Sequence, residues 1–264
     1  MSLIQNKRLY YVNSVKRTTG TDSNFTYNFQ IPQNENYDNV VVLDAYIPKT
    51  YYLVQSGYNT FTLTEGSSSA TVTMTSKNYT ATTFKSELTT ALNTASPNHW
   101  TYSITFDSSL GKYTYSLTGN DSQPSFTFTT NLNEQLGFEP NTTNIFANNQ
   151  LISTNVIDMQ LETTLNIRSD MIGQGNTDNI LQNVFASGTT DFSNITWICP
   201  DIDAYSKKLV TNTTNTYRFI LTDEDGTHEM NLNGKNIVMT IMLYKKDSIN
   251  TVIKEFLKQA YNKM

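Results

Sequence analysis

One short acidic segment holds most of the side chains that could bind a cation: Asp223, Glu224, Asp225, His228 and Glu229. Carboxylate oxygens and an imidazole this close together could form a calcium or transition-metal site. Strands are predicted on both sides of the segment, and Asp225-Gly226 is a dipeptide preferred in tight turns. We therefore favour a hairpin turn here, with metal binding as the alternative.

A second group of residues could support catalysis. Asp201 and Asp203 are two apart and could act as paired carboxylates if they lined a cleft, although alternate residues of a strand show the same spacing. Cys199 has no basic residue near it in sequence, which favours a small buried side chain over a nucleophile. His99 and His228 lack partners at ligand spacing, and the common metalloprotease, P-loop and nucleophile-elbow motifs are absent. We expect no enzymatic activity, no cofactor and no metal.

Tyrosine is the remaining residue type that could bind a ligand. Tyr10, Tyr11, Tyr51 and Tyr52 form two adjacent pairs and could stack on a carbohydrate or a nucleotide. Tyrosine also combines a large apolar body with a hydrogen-bonding tip and is enriched where proteins meet. We therefore interpret these tyrosines as residues of an interface or its rim.

The composition of the 264 residues predicts a β-rich protein. Aromatic residues make up 12% of the chain and charged residues only 16%, and the polar balance is carried by 41 Thr and 31 Asn. Thr and aromatic residues suit pleated strands, whereas Asn and Ser suit the turns between them. All-β proteins of this length often form a single unit, so one or two domains remain open.

Charge and cysteine content exclude several classes of protein. The net charge of −5 argues against a nonspecific nucleic-acid groove, which needs clustered Lys and Arg. The single cysteine, Cys199, rules out an intrachain disulfide and suits a reducing cytoplasm. No apolar run is long enough to span a membrane, and residues 1–9 do not resemble a secretory signal. We expect a soluble protein that is not exported.

Alternating strands at both ends of the chain predict a β-sandwich. Apolar residues alternate with polar ones at Phe25, Tyr27, Phe29 and Ile31, and residues 40–47 are apolar on both faces. After Pro140, short strands are predicted at 156–168, 180–187, 195–198, 208–211, 217–222, 227–232 and 237–244. Together these strands suffice for an eight-stranded jelly roll, assigned to residues 1–56 and 141–248.

Residues 57–140 have a different pattern and predict a small inserted α+β domain of the order ββαβββ. Its helix carries an apolar stripe at Phe84, Leu88, Ala91 and Leu92, with Thr80 as the candidate N-cap. A hairpin follows, because apolar residues alternate on both sides of the turn at 107–111.

The end of the chain, residues 249–264, predicts a short amphipathic helix that Ser248 could cap. Its apolar stripe contains Ile249, Val252, Ile253, Phe256 and Leu257, and its lysines lie elsewhere. Such a helix could lie on a membrane surface, but its moderate length and mixed charge favour docking on a protein. We expect these five residues to form an interface, either on their own subunit or on a neighbouring protein.

Several segments occur in a fixed order along the chain: residues 40–52 (VVVLDAYIPKTYY), 78–80 with the helix that follows, 136–138 (LGF), 165–170 (LNIRSD), 217–226 (YRFILTDEDG) and 233–234 (NG) with the strand that follows. Together they resemble the penton proteins, the minor capsid proteins of virophages and Polinton-like viruses. They are spread over most of the chain and are specific jointly rather than singly.

The resemblance implies a structural subunit. It implies one jelly roll standing upright in an icosahedral shell, five copies at each vertex, neighbouring major capsid proteins as partners and a protruding insertion. The expected location is the capsid vertex of the virion, after assembly in the host cell cytoplasm. Five copies follow from the resemblance alone, because composition and periodicity do not distinguish five subunits from three or six.

Two other functions remain open at this stage. The inserted module or a Tyr-rich loop could bind a host-surface receptor such as a glycan, since β-sandwiches serve many unrelated functions. A hydrolase on a β scaffold would require Asp201, Asp203 and Asp223 to converge in one deep pocket.

Overall fold

The chain is divided into two units. The computed structural model describes residues 4–118, 123–129, 131–173 and 179–246. One unit comprises Met1–Thr50 with Glu162–Met264, and the other comprises Tyr51–Leu161. The first unit is therefore discontinuous in sequence, and the second unit is an insertion within it.

Strands and helices are numbered along the chain. The first half of the discontinuous unit contains β1 (Ile4–Asn13), β2 (Thr19–Gly20), β3 (Asn24–Asn28) and β4 (Asn39–Pro48). The insertion contains β5 (Thr60–Glu65), β6 (Ser68–Thr73), α1 (Ala81–Ala95), β7 (Thr101–Asp107), β8 (Lys112–Thr118), β9 (Ser125–Thr127), α2 (Asn133–Leu136), β10 (Thr143–Ile145) and β11 (Gln150–Ile152). The second half contains β12 (Thr164–Ser169), β13 (Ile180–Phe185), β14 (Asn194–Ile198), α3 (Ile202–Tyr205), β15 (Lys207–Lys208), β16 (Thr216–Thr222) and β17 (Val238–Lys246).

The discontinuous unit is a jelly roll, as its strand pairing shows. The first sheet has the order β1-β17-β4-β14, with β15 beside β4, and the second has the order β13-β12-β16-β3, with β2 beside β3. All neighbouring strands are antiparallel. Counting the eight longer strands along the chain, the first pairs with the eighth, the second with the seventh, the third with the sixth and the fourth with the fifth. This nested pairing over two sheets is the jelly-roll arrangement, and it confirms the predicted fold class.

The two sheets of the jelly roll share one apolar core. On β4, Val40, Val42, Ala45 and Ile47 are at most 1% exposed. The ring of Tyr10 on the first sheet meets that of Phe29, which follows β3 of the second sheet, with centroids 4.9 Å apart. Each strand thus places alternate residues between the sheets, as burial on one face requires. A bulge between Thr240 and Ile241 changes the register of β17 against β4.

The insertion has two sheets and its own core. One sheet has the order β10-β9-β5-β6 and the other β11-β8-β7. Aromatic side chains dominate this core, and those at most 2% exposed are Phe84, Tyr102, Tyr113, Tyr115, Phe126, Phe128, Phe138 and Phe146. The helix α1 closes this core with the stripe predicted from its spacing, because Phe84, Leu88 and Leu92 are completely buried.

The start of α1 matches the predicted cap. The side chain of Thr80 accepts a hydrogen bond from the backbone N–H of Thr83, and the Thr83 hydroxyl accepts one from the N–H of Thr80. This reciprocal arrangement satisfies two N–H groups at the helix terminus. The expected N-cap is confirmed.

A buried carboxylate connects three elements of the insertion. Glu65, at the end of β5, is 0% exposed. Its Oε1 accepts hydrogen bonds from Ser96 Oγ at 2.7 Å and Tyr102 Oη at 2.8 Å, and its Oε2 accepts one from the backbone N–H of Asn98 at 2.9 Å. A buried charge is tolerated where its lone pairs are satisfied in this way.

The structure differs from the sequence-based expectations at several elements. The insertion extends beyond residues 57–140, because β10 pairs with β9 and β11 pairs with β8. Residues 227–232, expected to form a strand, make only an isolated bridge between Thr222 and Glu229. Of the strand expected over 156–168, only its last part belongs to β12.

The strand β1 was not anticipated, because Leu9, Tyr10, Tyr11 and Val12 show no alternation. The expected helix at 249–264 lies outside the described residues.

Candidate assembly surface

The acidic segment forms a turn held by its own side chains. Asp223 is 6% exposed, and its carboxylate accepts hydrogen bonds from the backbone N–H groups of Thr227 and His228. The Nδ1 atom of His228 lies 2.8 Å from Asp223 Oδ2. Gly226 adopts a left-handed conformation with φ of +75°, and a Cβ atom there would overlap the guanidinium of Arg168. The aspartate and histidine thus stabilise a turn, as predicted, but the second strand of the predicted hairpin is reduced to the isolated bridge between Thr222 and Glu229.

The paired aspartates have separate structural roles. Asp201 is the N-cap of α3 and accepts hydrogen bonds from the N–H groups of Asp203 and Ala204. Asp203 forms an ion pair with Lys246, with an N–O distance of 3.3 Å. The expectation that these residues might share a strand face is wrong, because the chain turns into α3 after Pro200.

Cys199 is a partly buried thiol at the end of β14. Its backbone N–H donates to the carbonyl of Leu43, and its side chain packs against a small apolar cluster. Burial raises the pKa of the Cys199 thiol, partly offset by a backbone hydrogen bond at Asp201. A thiol with a raised pKa is less often in the reactive thiolate form, in agreement with the structural interpretation.

Metal ligands and membrane-spanning helices are not found in the described residues. No three His, Cys, Asp or Glu side chains come together there in a way that could hold a metal ion. Within the same ranges, no helix has the length and hydropathy to cross a membrane.

The jelly roll presents a continuous surface on the outward side of its first sheet, here called the outer face. Directly opposed residues of antiparallel strands lie on the same side of a sheet. Since Tyr10, Val12 and their cross-strand partners point into the core, the alternate residues point outward. The outer face therefore consists of three rows across the strands: Leu9–Met242–Val41, Tyr11–Thr240–Asp44–Ile198 and Asn13–Val238–Tyr46–Thr196.

Large apolar side chains are exposed around the rim of the outer face. Tyr11 is 71% exposed, Ile198 68%, Leu9 46%, Tyr46 44% and Val238 38%. These residues lie on the four long strands of the sheet, β1, β17, β4 and β14. Val238 and Tyr46 are directly paired, whereas Leu9 and Tyr11 lie on one edge strand and Ile198 on the other. Exposed apolar side chains of this size are candidates for contacts with other proteins. Of the tyrosines considered for an interface, Tyr11 points outward, whereas Tyr10 packs on Phe29 in the core and Tyr51 is 1% exposed.

The outward side of the second sheet is different, because hydrogen-bonded polar side chains cover most of it. Arg218 Nε donates to Asn24 Oδ1 at 2.9 Å, and Arg168 Nε donates to Thr222 Oγ1 at 3.1 Å. Phe185, 67% exposed, is an apolar exception. The outward side of the first sheet is therefore the more apolar of the two.

At its centre, the outer face is covered. Val41 and Tyr244 are 0% exposed and Met242 is 3% exposed, and they form one apolar cluster. The partly buried side chains of Leu43, Cys199, Ile202 and Tyr205 pack against this cluster. The hydroxyl of Tyr244 is buried without a hydrogen-bond partner among the described residues.

Sequence patterns identified only part of this surface. The five predicted interface residues Ile249, Val252, Ile253, Phe256 and Leu257 lie outside the described residues. Tyr46 and Ile198 were not predicted to be interface residues. The available signal was that residues 40–47 are apolar on both faces, which is expected of a strand covered on both sides.

The insertion carries a groove of about 460 Å³ between β6 and α1. Its walls contain five threonines (Thr71, Thr73, Thr75, Thr90 and Thr94), together with Glu87, Ala91 and Ala95. Hydroxyl groups could bind a polar ligand here, although the described lining contains no aromatic ring on which a sugar could stack.

The strand pairing and the outer face define a jelly-roll protein with an insertion between its third and fourth long strands. A crystal structure of the selenomethionine-labelled mavirus penton protein is similar to this chain. The alignment covers 92% of this chain and 100% of that protein, with 11% sequence identity and a TM-score of 0.42. No family model and no curated protein matches the sequence.

Proposed function

We propose that the protein is a structural capsid subunit that forms the pentameric vertex of an icosahedral virus particle. The observation that carries this proposal is an exposed apolar surface on one sheet of a jelly roll. A shell subunit needs a rigid wedge whose sides bind neighbouring subunits, and an apolar rim on a rigid sheet provides such a side. The sequence resemblance to penton proteins points to the same function.

A closed ring requires that one surface of each subunit binds a different surface of the next. Such heterologous contacts close when the rotation between subunits divides a full turn. The outer face supplies one of the two surfaces, and a different surface on the neighbouring copy supplies the other. Five copies per ring remain an expectation from the resemblance.

The proposal assigns partners and a location. The partners are further copies of this chain and the major capsid proteins around the vertex, and the location is the virion after assembly in the host cytoplasm. The function is assembly rather than catalysis, and it needs no cofactor. The structural roles of Asp201, Asp203, Asp223 and Cys199 support this interpretation.

The test is the mass of the protein in solution at several concentrations. We expect a pentamer at high concentration and its loss in Ile198→Asp, because a buried unpaired carboxylate at an interface is costly. Leu110→Asp, at a site 61% exposed in the turn between β7 and β8, is the matched control and should assemble normally. A wild-type chain that stays monomeric, or an Ile198→Asp variant that assembles fully, would contradict the proposal.

A second candidate function is attachment to a host-surface glycan through the insertion. The hydroxyl-lined groove between β6 and α1 is the observation that favours it. A glycan array probed with the full chain tests this function, with Thr73→Val and Thr94→Val as groove variants. Binding that both variants abolish would support attachment, and an array without any bound glycan would count against it.

A further inference from the structure

The helix α1 contacts an edge strand of each sheet of the insertion. The strand β6 is the last strand of one sheet, β7 is the last strand of the other, and α1 packs beside both. An edge strand leaves the backbone N–H and C=O of every second residue without a partner in its own sheet. Each of these edges is therefore either satisfied by other groups or open to a further strand.

The edge of β7 is closed by a side chain of α1. Asn93 Oδ1 accepts a hydrogen bond from the backbone N–H of Tyr102 at 2.7 Å, and Asn93 Nδ2 donates to the carbonyl of Tyr102 at 3.0 Å. A neighbouring antiparallel strand would make the same two bonds. The amide group of Asn93 thus replaces a strand at this edge.

The pairing of β6 with β5 shows which backbone groups of β6 face its other edge. The N–H of Met74 donates to the carbonyl of Asn59 at 2.9 Å, in register with the rest of the pairing. Hydrogen-bonded pairs alternate along antiparallel strands, so the backbone of Val72 also bonds to β5. Thr71 and Thr73 therefore direct their N–H and C=O groups away from β5.

The second edge of β6 faces the groove beside α1. Thr75, just beyond β6, has the same orientation, and its N–H donates to Glu87 Oε1 of α1 at 3.0 Å. Its carbonyl accepts a hydrogen bond from the hydroxyl of Tyr79 at 2.7 Å. Among the described residues, none provides such a partner for the backbone of Thr71 or Thr73 at this edge. Their N–H and C=O groups can therefore pair with a ligand in the groove.

The strand β6 lacks the features that usually prevent edge strands from pairing. Natural edge strands often carry lysine, proline or a bulge. The sequence of β6, SSATVT, contains no charged residue and no proline, and its pairing with β5 is regular from Ser68 to Thr73. Threonine and valine also favour an extended chain. The strand is thus suited to accept a further strand.

The opposite wall of the groove limits the side chains that a further strand can have. Ala91 and Ala95 on α1 are small, and the threonines beside them are uncharged. The charge of Glu87 is already neutralised by an ion pair with Lys77. An uncharged segment with small side chains at alternate positions matches these walls.

We propose that the groove between β6 and α1 binds an extended, uncharged peptide segment of a partner protein, which adds to the sheet as a strand beside β6 and pairs with Thr71 and Thr73. Main-chain hydrogen bonds supply the affinity in this mode of recognition, and the facing side chains select alternate residues of the peptide. The site lies within the insertion and does not depend on assembly of the jelly roll. The glycan hypothesis places a sugar in the same groove, and the experiment separates the two ligands.

Selection from a phage-displayed library of random short peptides tests the proposal with the full chain. Enriched peptides are synthesised, and their dissociation constants are measured by calorimetry. Thr73→Pro removes one N–H at the open edge, where a sheet tolerates proline, and should weaken binding at least about tenfold. Thr73→Val keeps this N–H and removes only the hydroxyl, so it should bind within about twofold of wild type.

Two results would overturn the proposal. One is a library from which no peptide is enriched. The other is an equal loss of binding in Thr73→Pro and Thr73→Val, because the hydroxyl rather than the backbone would then be recognised, as expected for a sugar. Circular dichroism verifies that Thr73→Pro is folded.

A second measurement uses the wild-type chain and needs no substitution. Each amide nitrogen of a selected peptide is methylated in turn, which removes one donor at a time. Every second position should lose at least about tenfold in affinity, because alternate amides of an added strand face β6. Losses without this alternation, or no loss at any position, would show that the peptide does not bind as a strand and would refute the proposal.

Discussion

At the scale of single residues, the side chains that suggested chemistry have structural roles. Asp223 holds a turn through two backbone N–H groups and His228, and Asp201 caps a helix. Both roles follow from the strong preference of short carboxylates for free N–H groups at turns and helix starts. Acidic clusters in sequence therefore indicated turns in this chain.

Glu87 on α1 is a charged residue whose ionisation makes the stability of the insertion depend on pH. Its carboxylate lies 2.5 Å from Lys77 Nζ and accepts the backbone N–H of Thr75 at 3.0 Å. Partial burial raises the pKa of Glu87, but the hydrogen bonds from Lys77, Thr75 and Tyr79 outweigh this effect. The pKa of Glu87 therefore falls from 4.5 to about 2. The ionised form is thus favoured in the folded state.

We predict a loss of stability of the insertion as the pH falls from about 4.5 to about 2. Because the folded pKa lies below the unfolded value, the contribution of Glu87 is complete above that range and disappears through it. Glu87→Gln should lower the melting temperature at pH 7 and should differ little from wild type near pH 2. Thermal unfolding at both pH values measures this, and Glu139→Gln, at an exposed carboxylate, is the control. A constant difference at all pH values would contradict the assignment.

At the scale of elements, close backbone contacts determine which positions require glycine. Gly137 ends α2 with φ of +77°, and a Cβ atom there would lie 2.6 Å from the carbonyl oxygen of Asn155. That segment cannot easily move, because the N–H of Asn155 donates to the carbonyl of Gly137 and Ser153 Oγ donates to that of Leu136. Gly66, in the turn between β5 and β6, has φ of +62° and open space around the missing Cβ.

We predict different costs for alanine at these two glycines. Gly66→Ala should lower the free energy of unfolding by about 1–2 kcal/mol, the usual penalty of a left-handed conformation. Gly137→Ala should cost clearly more, because steric overlap adds to the same backbone penalty. Urea unfolding of both variants measures the difference, and equal costs would show that the contact with Asn155 relaxes freely.

At the scale of the whole molecule, each unit has its own set of buried side chains. The core cluster that contains Phe84, Tyr115 and Phe126 is formed by residues of the insertion alone. The jelly roll is assembled from both halves of the discontinuous unit, through pairs such as β1 with β17. Separate cores imply that the units can lose stability separately.

We predict that Glu65→Ala destabilises the insertion without affecting the jelly roll to the same extent. The substitution leaves the buried hydroxyls of Ser96 and Tyr102 and the partly buried N–H of Asn98 without their acceptor, at a total cost of about 3 kcal/mol or more. Calorimetry should show one transition that moves to lower temperature and one that does not. Glu139→Ala should change either transition by no more than about 0.5 kcal/mol. A single transition that shifts as a whole would show that the two units unfold together.

The alternation and spacing of apolar residues in the sequence were sufficient to predict the β class of the jelly roll, the cap and buried stripe of α1, and the turn at Asp223. Each of these depends on residues close together in sequence, where the periodicity of a strand or a helix is visible. The signal was weaker for β1, because its residues are apolar on both sides and their pattern does not separate the two faces.

Only the tertiary structure decided which strands pair and which face remains open. The partners of β1 and β4 come from the other end of the chain, and no local pattern encodes a pairing between residues more than 200 positions apart, such as Tyr11 with Thr240. The outer face exists because Leu9, Tyr46 and Ile198 come from three strands that are distant in sequence. Exposure is a property of the assembled sheets, since it depends on what packs above each side chain.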